Sequence, residues 1–306
     1  MFSCTLTAAD LSVQLDNDIL YGTDREYTGG FIVRWTDATG IGLVDGWASP
    51  LERLALSSDA LQGVQKTDQL GLAMQIFTLE KHGDTRHDSA GNSGWAHIDL
   101  RRFYQYGRYQ SVLGLRLGWL GPSSGGQEIQ NGLHSIIGND NASGWDHQVP
   151  DQPTLQVAFD QQVFLSEPQS HSGGQLYGAL SVVAGSPETA VSFGVGAYYA
   201  DGARPVMRMN ALDHVVDMGS GLGWFVFADV SAKYDIYNVF LDGRPFTEDD
   251  PNIEFANVVI PAAQYGGGLS FNHFYVVLSS SVLGQVYRGQ PENHFKFASL
   301  YFGMPF

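Results

Sequence analysis

The sequence predicts an all-β protein, a twelve-stranded antiparallel transmembrane β-barrel with a short helix in an extracellular loop. Three observations carry that reading. The last segment alternates strictly, with Ala298, Leu300, Phe302, Met304 and the terminal Phe306 on one face and Phe297, Ser299, Tyr301, Gly303 and Pro305 on the other. A terminal aromatic closing such a strand is the usual ending of a bacterial outer-membrane barrel. The composition agrees: charged residues are 16% and aromatic residues 12% of the chain, against roughly 25% charged in soluble domains. No apolar run approaches the ~20 residues that a membrane helix needs. A barrel in lipid explains both facts, because lipid-facing and lumen-facing residues alternate and average out.

The individual strands follow from period-two patterning and the turn clusters between them. Leu113, Leu115, Leu117 and Trp119 oppose Gly114, Arg116 and Gly118; Val191, Phe193, Val195, Ala197 and Tyr199 oppose Ser192, Gly194, Gly196 and Tyr198. From Trp224 to Ile236 an apolar face opposes one carrying Asp229, Ser231, Lys233 and Asp235, and in the segment 96–102 His97, Asp99 and Arg101 share a face. Charges on the minority face are costly in lipid and ordinary in a polar lumen. Strands are expected near 10–20, 28–36, 70–80, 93–105, 110–120, 153–166, 174–184, 189–200, 221–241, 256–271, 273–286 and 294–306. The number is even, so both termini lie on the periplasmic side. The whole chain, 1–306, reads as one outer-membrane barrel domain. Segments 37–69 and 121–152 fit no strand.

Several function classes are excluded or disfavoured. The single Cys4 rules out an internal disulfide framework and a cysteine zinc site. A net charge of −16 argues against nucleic acid. It also makes phosphate-rich lipid an awkward partner unless divalent cations intervene. A barrel must be exported, so an export signal is expected to have been removed.

The segment 121–138 looks like a site. Ser123 or Ser124 can cap a short helix with Gln127 or Glu128 in its first turn. Such a helix gathers Gln127, Gln130, Asn131 and His134 on one polar face and Ile129, Leu133, Ile136 and Ile137 on an apolar one, which could lean on the barrel rim. A histidine beside amides can serve as a general base, or simply decorate the loop. A second constellation is Asn17-Asp18 with Asp24, Arg25, Tyr27 and Thr28. The alternation of the first strand points Asp18 into the lumen with Asp16 and Gln14. A carboxylate there could orient a histidine or hold a divalent metal, and otherwise belongs to a hydrophilic hairpin loop. Asp140, Trp145, Asp146 and Gln148 line a pocket or order the loop. Leu241-Asp242-Gly243 reads as a hairpin turn. Lys66 and Lys81 are the lysines best placed to meet an anionic head group, and otherwise are solvated loop positions.

Taken together these pieces resemble the lipid A 3-O-deacylase family of outer-membrane enzymes. The matching residues are Asn17-Asp18, Asp24-Arg25, Tyr27-Thr28-Gly29-Gly30, Gly121-Pro122, Gln130-Asn131 with His134, Gly138, Gly144-Trp145-Asp146 with Gln148, Leu241-Asp242-Gly243 and Gly289-Gln290, in order along nearly the whole chain. Thr78-Leu79-Glu80 and Ala90-Gly91-Asn92 depart from the family pattern. The resemblance implies hydrolysis of the ester holding the 3′-linked acyloxyacyl group of lipid A in the outer leaflet of the cell outer membrane. It implies a catalytic set of His134 as base with Asp18, Asn17, Thr28 and Gln130 around it. Lys66, Lys81 and Trp145 are expected at the substrate, Asp18 and Asp140 at a calcium ion, and the barrel is expected as a monomer. The alternatives are a non-catalytic barrel, either a narrow pore or a lipopolysaccharide-binding protein, and an outer-membrane phospholipase. The last normally pairs a serine with its histidine, and no such serine is evident beside His134.

Overall fold

A computed structural model describes residues 9–22, 26–55, 63–78, 92–138, 145–166, 172–207, 215–218, 221–244 and 259–305. Twelve antiparallel strands close into a barrel: β1 (Asp10–Asn17), β2 (Glu26–Asp37), β3 (Gln65–Thr78), β4 (Ser93–Tyr106), β5 (Tyr109–Leu120), β6 (Gln152–Phe164), β7 (Gly173–Gly185), β8 (Glu188–Asp201), β11 (Leu222–Asn238), β12 (Ile260–Phe271), β13 (Phe274–Gly284) and β14 (His294–Pro305), with β1 paired to both β2 and β14. A short hairpin of β9 (Ala203–Met207) and β10 (Val215–Met218) hangs below the wall between β8 and β11. This hairpin is absent from the expected strand list. Two-residue turns, Gly107-Arg108 and Asn272-His273, join strands at one end, against a single one, Ser186-Pro187, at the other among the described residues. Barrels place short turns on the periplasmic side and longer loops outside, so Asp10 and Pro305 lie at the periplasmic end and the loop 121–151 at the extracellular one.

Alternation sorts the wall as expected. Leu300, Phe302 and Met304 are exposed to the surroundings, whereas Ser299 and Tyr301 are buried within; Phe306 lies outside the described residues. Inside, the tyrosine hydroxyl of residue 27 donates to Asp16 Oδ2 (2.7 Å), Gln14 Nε2 to Asp16 Oδ1 (2.9 Å) and Arg34 Nη1 to Gln14 Oε1 (2.8 Å). Asp99 is paired with Arg101 and lies 3.7 Å from Arg116 Nε, which sits directly across the β4–β5 ladder. The periplasmic half of the lumen is filled by Phe164, Tyr177, Tyr198, Phe225, Phe227, Tyr275, Val277 and Tyr301. Above this aromatic layer a cavity of about 270 Å³ remains, lined by Arg34, His97, Asp99, Arg116 and Lys233 among others. Phe240 and Leu241 also line it. They belong to α3 (Val239–Asp242), a helical turn that stands where a plain hairpin turn is expected. Its N-cap, Asn238, accepts the Phe240 N–H at 3.1 Å, and Phe240 packs on Phe77 with ring centroids 4.8 Å apart.

The segment without a strand pattern, 37–69, contains a helix, α1 (Gly42–Ala55), and the first residues of β3. Helix α1 lies against the outside of the wall near its periplasmic end. Ile41, Val44 and Ala48 pack on Leu100, with Leu70, Leu113 and Leu115 around them. Beneath it an outward-facing arginine is fully engaged: Arg102 Nε donates to Asp68 Oδ1 (2.7 Å), Nη2 to Asp45 Oδ1 (3.0 Å) and Nη1 to Glu52 Oε1 (3.2 Å). An arginine on a lipid-facing wall costs from about 0–1 kcal/mol near an interface up to about 2–4 kcal/mol at the midplane. Helix α1 removes that exposure.

Candidate active site on the outer wall

The loop between β5 and β6 forms the expected helix, α2 (Gly126–Ile137), with a changed start. Pro122–Ser124 make a separate helical turn, and the N-cap is Gly125 in the left-handed region, φ 82°. Ser123 is held instead by Asp151, whose carboxylate accepts the Ser123 N–H (2.8 Å) and hydroxyl (2.8 Å) and the Trp119 Nε1 proton (2.9 Å). These donors hold the Asp151 carboxyl below its ordinary value, the Ser123 N–H most of all. The loop thus leaves the barrel tied to the head of β6.

Helix α2 lies directly on the wall. A Cβ placed on Gly94 of β4 would fall 2.7 Å from the Gly126 Cα, and one on Gly126 would fall 2.7 Å from the Gly94 Cα. Only two glycines permit this approach. The helix is turned the opposite way from the expected lean of its apolar face on the rim. Gln130 is buried, Gln127, Asn131 and His134 are half-buried, and Ile129 and Leu133 are 40% and 50% exposed. The side chains of Ile136 and Ile137 lie outside the described residues. This facing suits a helix beside lipid, where apolar side chains face outward and polar ones turn to the protein. Trp145 fixes the arrangement. Its Nε1 donates to Gln130 Oε1 at 2.9 Å while its ring packs on Met74 and Ile76, outward residues of β3.

Asn17 reaches the same outer face. Cross-strand register runs from Asn17 to Gly29, from Gly29 to Ile76 and from Ile76 to Gly94. One row of the wall therefore carries Asn17, the Trp145 platform and the seat of α2, and Asn17 lies two strand spacings, roughly 10 Å, from Ile76. Thr28 is the extra residue of a β-bulge, inserted between the Tyr27–Phe77 and Gly29–Ile76 pairs. Its hydroxyl meets that of Thr78 at 2.6 Å, and its carbonyl accepts from Asn17 Nδ2 (3.2 Å) and from the Asp18 N–H (3.4 Å). The strand whose alternation assigns Asp18 to the lumen ends one residue before it. Strand β1 stops at Asn17, and Asp18 starts the bend and helical turn 18–21, where it is buried.

A scan of family descriptions matches residues 2–306 to "Outer membrane protein LpxR". The chain belongs to the LpxR family. LpxR from Salmonella typhimurium superposes with a TM-score of 0.76 at 17% identity, covering 97% of this chain and 100% of that one. The CymD monoaromatic hydrocarbon channel gives a TM-score of 0.38 at 10% identity, covering 98% and 88%. No curated protein matches. The family and the closed barrel locate this LpxR-family chain in the outer membrane.

Within this LpxR-family barrel, hydrogen bonds bring Asn17, Asp18 and Thr28 together at one corner and Gln130 and Trp145 at another, at one level of the wall. Thr78 joins the first corner. Its outward position beside Met74 and Ile76 on β3 is the signal that marks it. Lys66 lies apart from both: it is bonded to Glu52 at 2.7 Å at the periplasmic end. Lys81 and Asp140 lie outside the described residues. The first corner offers oxygen donors of the kind calcium takes, a carboxylate, an amide, a hydroxyl and a carbonyl. Among the described residues no three Asp, Glu, His or Cys side chains converge, so a cation at this corner would rely on neutral oxygens beside Asp18.

Proposed function

We propose that this barrel is an outer-membrane carboxylic ester hydrolase that removes the 3′-linked acyloxyacyl group from lipid A. The observation that carries the reading is the inverted seat of α2. A polar stripe holding the buried Gln130 and the half-buried His134 is turned toward the protein, while Ile129 and Leu133 are exposed. This is a hydrolytic crevice opening sideways to lipid rather than upward to water. The direction of α2 supports His134 as the base. Gly126 sits over β4 and Gln130 meets Trp145 over β3; each further four residues advance the helix about 6 Å, more than one strand spacing. Continued in that direction, the helix would bring His134 toward β2 and the Asn17-Asp18-Thr28 corner.

In this mechanism the His134 imidazole takes a proton from water as the water oxygen attacks the ester carbonyl carbon. The same proton then goes to the departing sugar oxygen as the carbon–oxygen bond breaks, giving an acyloxyacyl carboxylic acid and a free hydroxyl. Asp18 orients the imidazole, Gln130 and Asn17 fix the polar edge, and Thr28 holds the corner through Thr78. Calcium, held by Asp18 with the neutral oxygens of Asn17 and Thr28, would supply positive charge beside the developing oxyanion. Asp140 is a further ligand candidate, and Lys81 a candidate for the phosphate of the substrate.

The test is mass spectrometry of lipid A from cells expressing the wild type, His134→Ala or Asp18→Ala, with matched amounts of folded barrel. Wild type is expected to lose the mass of one acyloxyacyl unit, and His134→Ala to lower the rate by ~10²–10⁴. An unchanged product from His134→Ala would overturn the assignment.

A further inference from the structure

We propose that α1 is an in-plane membrane helix that seats in the periplasmic leaflet and takes phospholipid acyl chains on Leu43, Trp47 and Leu51. The helix has two apolar faces. One, made by Val44 and Ala48, is fully buried on the barrel wall. The other carries Leu43, 66% exposed, and Leu51, 40% exposed, at spacings of four on each side of Trp47, which is partly buried and packs one side on the wall cluster. Three residues at i, i+4 and i+8 form one continuous stripe. In water such a stripe gains nothing, and its polar residues are spent elsewhere: Asp45, Ser49 and Glu52 all turn to Arg102.

What covers the stripe is indicated by what adjoins it. The wall against which α1 packs, at Leu100, Leu113 and Leu115, runs without interruption into the exposed Leu72, Ile98 and Leu117, the surface that an outer-membrane barrel presents to hydrocarbon. A helix with Leu43 and Leu51 on its outer side, and with Asp45 and Glu52 engaged by Arg102, suits that band at its periplasmic edge. It differs from a water-facing plug in the one respect that can be measured.

The experiment uses the full chain with Cys4→Ser and a nitroxide on Leu43→Cys, in vesicles of palmitoyl-oleoyl phosphatidylethanolamine and phosphatidylglycerol. Labels at Leu72→Cys on the wall and Arg108→Cys in a periplasmic turn are the references, and heat-modifiable gel migration confirms folding. The position-43 label is expected to relax with dissolved oxygen, as does that at 72, and to be shielded from a water-soluble nickel chelate. A label at 43 with the chelate accessibility of position 108 would overturn the proposal. If the Leu43→Cys barrel fails to fold, Leu51→Cys gives the same comparison with the same two outcomes.

Discussion

The hydroxyl of Thr28 illustrates how much of this site rests on single polar atoms. The bulge adds one residue to β2, and that residue supplies both a hydroxyl to Thr78 and a carbonyl to Asn17 and Asp18. Replacing it with valine keeps the shape and removes the hydroxyl that meets Thr78, a hydrogen bond worth about 0.5–1.5 kcal/mol. Thr28→Val is expected to lower the midpoint of urea unfolding in lipid vesicles and to slow deacylation. An unchanged midpoint would show that this hydrogen bond is replaced. Asn17 and His134 were legible as residues of interest because a polar pair at a strand end and a histidine among amides stand out from alternation. Which way Asp18 points was not legible. Its orientation depends on where β1 stops, and the turn 18–21 breaks the period one residue before the alternation would have assigned it to the lumen.

The helices set the chemistry's surroundings, and they are where sequence reading fared unevenly. Helix α2 announces itself through its periodicity, but its facing does not. Amphipathicity names two faces, and only the identity of the solvent says which one turns inward. Helix α1 was missed because Gly42, Gly46 and Pro50 are poor helix residues, and Pro50 lacks an N–H. The wall and its network with Arg102 hold it in place. That network gives α1 a pH signature. Hydrogen bonds from Ser49 and Arg102 lower the Asp45 carboxyl; burial raises that of Glu52, but donors from Lys66, Tyr104 and Arg102 outweigh it. A carboxyl depressed in the folded state stabilises docking above its unfolded pKa and loses that contribution as pH falls through the folded one. The nitroxide at position 43 is therefore expected to stay immobile down to ordinary carboxylate values near ~4 and to gain mobility only below them. Loosening already at pH 6 would contradict this account.

At the scale of the whole molecule, the barrel divides into an outer wall that carries two helices and a lumen largely filled by side chains among the described residues. The strand count, the closing strand and the polar lumen followed from alternation because a two-residue period has a single physical meaning in lipid. The filling of the lumen did not, since inward aromatics such as Tyr275 and Tyr301 meet one another only after closure. Their layer fills the lumen below the cavity that Phe240 and Leu241 line, and both narrow it. Planar-bilayer recordings of the purified barrel are expected to show no steady conductance, and ohmic channel currents would restore the pore reading. The most direct measurement compares lipid A mass spectra from cells carrying Gly94→Ala, which pushes α2 off the wall, with those carrying Leu241→Trp, which fills the lumen. The account predicts that Gly94→Ala slows removal of the acyloxyacyl unit by roughly 100-fold while Leu241→Trp yields the wild-type product. Full activity in the first variant and loss in the second would place the chemistry inside the barrel and contradict it.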